Sequence, residues 1–160
     1  MKREGNLMWR IVDLNNLYLA FWKAQKGKKR SPEVIEFRLM LSENLKKIQL
    51  ELLNECTQIG NYRFFTIFDP KERRICATSF KERVLQHAVM NVCHENFERY
   101  QLSFSYASRK GKGVYAAIEK AQDNQRKFSW YLKLDVRKYF DSIDHQILMN
   151  LLITLIPQHN

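Results

Sequence analysis

The chain has 160 residues, with 27 Lys and Arg against 17 Asp and Glu and a formal net charge of +10. That length suits one domain or a two-lobed unit with a real core, and a basic excess spread over several clusters points to a polyanionic partner or else to a solvated basic surface without one. Cys56, Cys76 and Cys93 form no Cys-x-x-Cys pair and no zinc-ligand spacing with the 4 histidines, and no leader-like start or run of about 18 apolar residues occurs, so the expectation is a reduced, cytoplasmic chain with no zinc site and no membrane partner.

In chain order, Leu14, Leu17, Leu19, Ala20 and Phe21 recur at helical spacing between Asp13 and Gln25, and the basic run Lys26-Gly27-Lys28-Lys29-Arg30 follows as a loop. Ser31-Pro32-Glu33 reads as a helix start: a capping hydroxyl, a proline suited to the first turn and an acid at the positive end of the dipole. The helical pattern continues to about Cys56, with Ser42 as a possible cap of a second helix carrying Leu45, Ile48, Leu52 and Leu53. Gly60-Asn61 interrupts it. Tyr62 to Phe68 has the aromatic and β-branched content of a strand, and Asp69-Pro70-Lys71-Glu72 supplies turn chemistry before a return strand at about Arg73 to Thr78. Val84, Leu85, Ala88, Val89, Val92 and Phe97 predict a buried helix from Phe80 to about Arg99.

Phe104 to Arg109 reads as a short strand leading into Lys110-Gly111-Lys112-Gly113, a basic tip whose glycines let backbone amides approach a phosphate; standing alone it would be a plain solvated turn. A helix over Val114 to Arg126 follows, with its N-terminus beside that tip. Between Ser105 and Lys138 there are nine Lys or Arg against three acids, so the positive charge concentrates here. Tyr131-Leu132-Lys133-Leu134-Asp135 reads as a buried strand that carries a carboxylate to its end, and a helix is expected from Ile147 to Ile156, with Asp141, Ser142 and Asp144 as turn and capping residues. A strand-end Asp is otherwise often only a cap.

Three blocks then carry a resemblance. Arg73 to Ala88 holds a basic residue opening a strand, the acidic-Arg pair Glu82-Arg83 opening a helix, and Gln86-His87; Ser105 to Gly113 holds an aromatic-small-x-Arg-x-Gly pattern; Asp135 to His145 follows. Their order and spacing resemble the fingers and the first part of the palm of reverse transcriptases, with the last block similar to motif A. The N-terminal portion is most like the enzymes of diversity-generating retroelements, with group II intron and retron enzymes as near neighbours, and the likeness spans about residues 12 to 156.

The resemblance implies an α+β fold: right-hand polymerase fingers and an incomplete palm behind a helical N-terminal region, with boundaries at 1–60, 61–130 and 131–160. It implies RNA-templated DNA synthesis from dNTPs on a primer, with Mg2+ as cofactor and Asp135 as the catalytic metal ligand, joined by the Val136 carbonyl. It places Arg109 and one of Arg73 or Arg74 at the triphosphate, with the amides of Lys138 and Tyr139. Phe140 would be a steric gate against the ribose 2′-hydroxyl, or simply a core residue. Lys26, Lys28, Lys29, Arg30, Lys110 and Lys112 would track the RNA template and the DNA or RNA primer. The family's Tyr-x-Asp-Asp hairpin is absent and no Asp-Asp pair occurs anywhere in the chain, so the chain by itself is expected to be inactive, and a non-catalytic RNA-binding module is the alternative. The apolar segment from Ile147 to Ile156 suggests self-association or an accessory protein.

Overall fold

Asp13 sets the first boundary of the fold. Its carboxylate accepts from the Asn15 and Asn16 amides, at 2.9 and 3.2 Å, ending α1 (Leu7–Val12) and opening α2 (Leu14–Ala24). These come from a computed structural model, which describes residues 7–155. The chain divides into two units, residues 4–94 and, apart from its first three residues, 95–160.

In the first unit, α3 (Pro32–Leu39) starts at the Ser31-Pro32 pair as expected, although Ser31 makes no side-chain cap. Here the structure corrects one detail. The next helix, α4 (Leu41–Leu53), begins before Ser42, with Met40 at the junction. Asn44 explains the earlier break: its side-chain amide donates to the Phe37 carbonyl at 3.0 Å, supplying a partner for an acceptor at the end of α3. The α2, α3 and α4 stripes converge with the start of α5 (Phe80–Tyr100) on one core of Leu17, Ala20, Phe21, Ala24, Val34, Leu45, Ile48, Phe80, Val84 and Ala88. Phe21 lies at its centre, with ring centroids 5.9 Å from Phe37 and 6.0 Å from Phe80.

Polar ties fix the register of these helices. The Asn16 side-chain amide donates to the Ile11 and Ala88 carbonyls, its oxygen accepts from Asn91, and Gln49 donates to the Val12 carbonyl. Each amide satisfies backbone acceptors that burial would otherwise leave unpaired.

The hairpin forms where the sequence places it: β1 (Tyr62–Phe68) pairs antiparallel with β2 (Glu72–Thr78), Tyr62 facing Thr78 and Phe68 facing Glu72. Every residue of β1 is exposed on this two-stranded ribbon. Its attachment at the base comes from Glu82, which is buried and accepts from the backbone amides of Gly60, Asn61 and Ser79, while the Ser79 hydroxyl accepts from the Glu82 amide. This Ser79-x-x-Glu82 capping box therefore ties the N-terminus of α5 to the chain entering β1.

In the second unit, α6 (Val114–Gln125) matches the predicted helix. A 3-10 turn (Phe140–Ser142) precedes α7 (His145–Leu155), whose start is capped by Asp144 through the Gln146 and Ile147 amides at 2.8 and 3.0 Å; the last residue of the predicted helix, Ile156, lies outside the described residues. From Val114 to Leu155 no residue is buried.

Two expected strands are not found. Phe104 to Arg109 is a succession of turns, because the Arg109 side chain gathers nearby carbonyls and Ser108 adopts a left-handed φ of 56°. Tyr131 to Asp135 forms no ladder and is exposed: the sheet of the described residues contains β1 and β2 alone, and an extended segment becomes a strand only beside a hydrogen-bonding neighbour. What holds is the coarser expectation of a mixed α+β fold. Among the described residues no helix is long and apolar enough to cross a membrane.

Candidate nucleic-acid interface

The candidates from sequence fall on both units, and within each the local backbone decides what a side chain can reach. In the first unit, residues 26–30 form consecutive turns, closed by Lys28 N to Gln25 O at 2.9 Å and Ser31 N to Lys28 O at 2.9 Å. Gly27 supplies the positive φ of 75° that this path requires. Arg38, which sequence reasoning missed, staples the turn: one terminal nitrogen donates to Gln25 Oε1 at 2.6 Å and reaches the Lys29 carbonyl at 3.5 Å. Lys26, Lys28, Lys29 and Arg30 are all exposed and make no ion pair with a described residue. The cationic loop is thus held in shape while its charges face solvent.

Arg73 and Arg74 are consecutive in β2 and so point to opposite faces of the ribbon. The structure distinguishes them. Arg74 stands over the Phe64 ring at 4.7 Å, a cation-π contact on a face that also carries Tyr62 and Phe68. Arg73 faces Ile67 on the other side, which it shares with Phe65 and Arg63. Phe64, Phe65 and Phe68 are all exposed, so the ribbon offers rings and guanidinium groups together, which is the chemistry that stacks bases and meets phosphates.

In the second unit, Arg109 is largely used up by its own loop. Its Nε and Nη2 lie 2.7 Å from Glu98 Oε1, and its Nη1 donates to the carbonyls of Leu102, at 2.6 Å, and Ser105, at 3.3 Å. Three hydrogen bonds and the ion pair with Glu98 engage most of a guanidinium that has five N–H groups and make it a clamp for residues 102–109. Lys112 is likewise engaged, donating to the Ser103 carbonyl and lying 5.1 Å over the Tyr106 ring. Lys110 is exposed and makes no ion pair with a described residue.

Asp135 lies in the exposed stretch that follows Trp130, and Leu134 and Val136 beside it are also exposed. The chain then turns tightly: Lys138 has a left-handed φ of 51°, and Ser142 bonds the Lys138 and Tyr139 carbonyls through its amide and Tyr139 again through its hydroxyl. Phe140 at this turn is 84% exposed and therefore not a core residue. Its ring packs edge-on against Tyr139 at 5.2 Å. Among the described residues no three His, Cys, Asp or Glu side chains are grouped so as to hold a metal ion, and Asp144, the acid that follows Asp141, is committed to capping α7.

No family model matches the chain. Nuclear intron maturase 1, mitochondrial, of Arabidopsis thaliana is 28% identical to it over 85 residues, which is 51% of this chain. The link is distant. It ties the chain to the reverse-transcriptase-related proteins at that remove and no closer, and the matched stretch amounts to 12% of the maturase's length.

Proposed function

We propose that this chain is the fingers and first palm portion of an RNA-directed DNA polymerase, the complete protein extending a primer with dNTPs on an RNA template. The observation that carries this reading is the similarity to an intron maturase, together with the three sequence blocks and the exposed cationic and aromatic surfaces of both units. In this reading Asp135 and the Val136 carbonyl are ligands of a magnesium site that needs carboxylates from beyond this sequence. Phe140 borders the incoming sugar, and Lys138 and Tyr139 offer amides to the triphosphate.

Of the arginines assigned to the triphosphate, Arg109 already holds its loop, whereas Arg73 and Arg74 make no ion pair with a described residue. Lys26, Lys28, Lys29, Arg30 and Lys110 meet phosphates of the RNA. A second reading is an RNA-binding module without chemistry of its own, which rests on the exposed cationic loop of residues 26–30 alone.

Two experiments test these readings. Single-stranded RNA should bind this chain with log K falling by about 0.7 per decade of salt for each phosphate contact, and binding that is absent at low salt overturns both. Primer extension by the longer gene product should be lost in Asp135→Ala; unchanged extension removes Asp135 from the chemistry, and RNA binding without extension by the unaltered protein selects the second reading.

A further inference from the structure

Behind the basic turn lies a cavity of about 370 Å³ whose wall includes Lys28, Ser31, Arg63, Thr78, Phe80 and Arg83. Three of these side chains are cationic. A carboxylate that also lines it, Glu33, is 3.6 Å from Arg63, which leaves Lys28 and Arg83 without an ion pair to a described residue. Arg83 also begins a line along α5, because positions 83, 87 and 91 succeed one another at single helical turns on one face. They are Arg83, His87 and Asn91. Lys23 reaches this line from α2, its Nζ donating to Asn91 Oδ1 at 2.5 Å, and its partner there is neutral.

We infer that the cavity and the α5 line form a second phosphate-contacting track for single-stranded RNA, carried by Arg63, Arg83, His87 and Lys23 and meeting the basic turn at Lys28. The inference rests on the RNA-binding part of the function proposed above. Its length favours a polymer over a small anion: Arg83 to Asn91 spans about 12 Å of helix, enough for at least two successive backbone phosphates. The cations follow one another along the surface, as suits a chain of evenly spaced negative charges.

His87 supports the track from another direction. Burial and the positive charges of Lys23 and Arg83 hold its imidazole below the ordinary value, so the group already registers the positive charge of the line. A phosphate seated between these cations reverses that effect and favours the imidazolium, so RNA binding takes up a proton.

The test is fluorescence anisotropy of the full chain with a labelled single-stranded oligoribonucleotide, over a salt series and from about pH 7.5 to 6. Lys23→Gln combined with Arg83→Gln should weaken binding about fivefold per cation near 0.1 M salt and reduce the salt slope by about 0.7 for each, whereas Lys120→Gln, on α6, should leave both unchanged. His87→Gln should abolish the gain in affinity on acidification, and thermal melts of the variants show that they are folded. A double variant that binds like Lys120→Gln, or a His87→Gln protein that keeps the full pH dependence, overturns the track while leaving RNA binding intact. Failure of the unaltered chain to bind RNA at low salt removes the track and the RNA-binding reading together.

Discussion

Glu82 offers the sharpest test of how the hairpin is attached. It is 5% exposed, and its carboxylate accepts from Gly60, Asn61 and Ser79, the latter two at 3.3 Å. Glu82→Ala leaves three backbone donors without that acceptor. A buried unsatisfied donor costs about 1–3 kcal/mol, a lost cap about 0.5–2, and an acid removed from a helix start about 0.3–1. The two longer bonds are weak and the contributions overlap, so the expected loss is about 3 kcal/mol. Glu82→Gln keeps one acceptor oxygen but puts an NH2 group against the remaining amides, for an expected loss of about 2 kcal/mol.

Ser79→Ala should cost about 1 kcal/mol, and because the two side chains form one reciprocal box the double variant should lose less than the sum, with a coupling of at least about 0.5 kcal/mol. The assay is urea unfolding with thermal melts, in which each kcal/mol lowers Tm by about 4–8 °C for a unit of this size. A Glu82→Ala protein destabilised by less than about 1 kcal/mol, or a cycle with no coupling, refutes the clamp.

The three thiols should separate into two classes. Cys56 and Cys76 are exposed and Cys93 is buried, with burial pushing its thiol up against the opposing pull of Arg10, so a colourimetric thiol titration at about pH 8 should count two fast groups and a third only after unfolding; three equal rates contradict the packing of α5. In the core, Phe21→Ala should cost about 3–5 kcal/mol by urea unfolding, since Phe21 is fully buried, while Leu151→Ala on the exposed face of α7 should stay within about 0.5 kcal/mol. The stability of the first unit should decline on acidification: the folded state holds His87 below its ordinary value of 6.5, so the unfolded state binds the proton more readily, and the stabilisation present above about pH 6.5 is lost as pH falls through the lowered value. Melts of His87→Gln across that range should lack this component.

Elements stabilised by near neighbours in sequence were legible, and those needing distant partners were not. The apolar spacing between Asp13 and Gln25, the Ser31-Pro32 pair, the aromatic run from Tyr62 and the apolar spacing of α5 each carry their own signal within a few residues, and each element forms with bounds close to those expected. The α3–α4 break was displaced because the Asn44 side chain, reaching back seven residues, outweighs Ser42 as a local cap. Tyr131 to Asp135 has the composition of a buried strand, but composition supplies only the preference; the ladder needs a second strand, which none of the described residues provides. The approach of Lys23 to the α5 line was invisible for a similar reason. Lys23 and Asn91 are 68 residues apart, and nothing in either neighbourhood announces the other.

Two residues that mark the family-like blocks show what such marks mean in this chain. The acid of the Glu82-Arg83 pair is consumed in fixing backbone amides, while its arginine lines a cavity and is free to meet an anion. Arg109, the arginine of the second block, is instead consumed in closing its loop. An arginine bound to Glu98 and to two carbonyls would have to surrender those bonds before gripping a triphosphate, whereas one without an ion pair gives up only water. A short pattern therefore identifies where the backbone must be held as readily as where a ligand is held. The two cases are separated by counting the donors that the fold itself has already used.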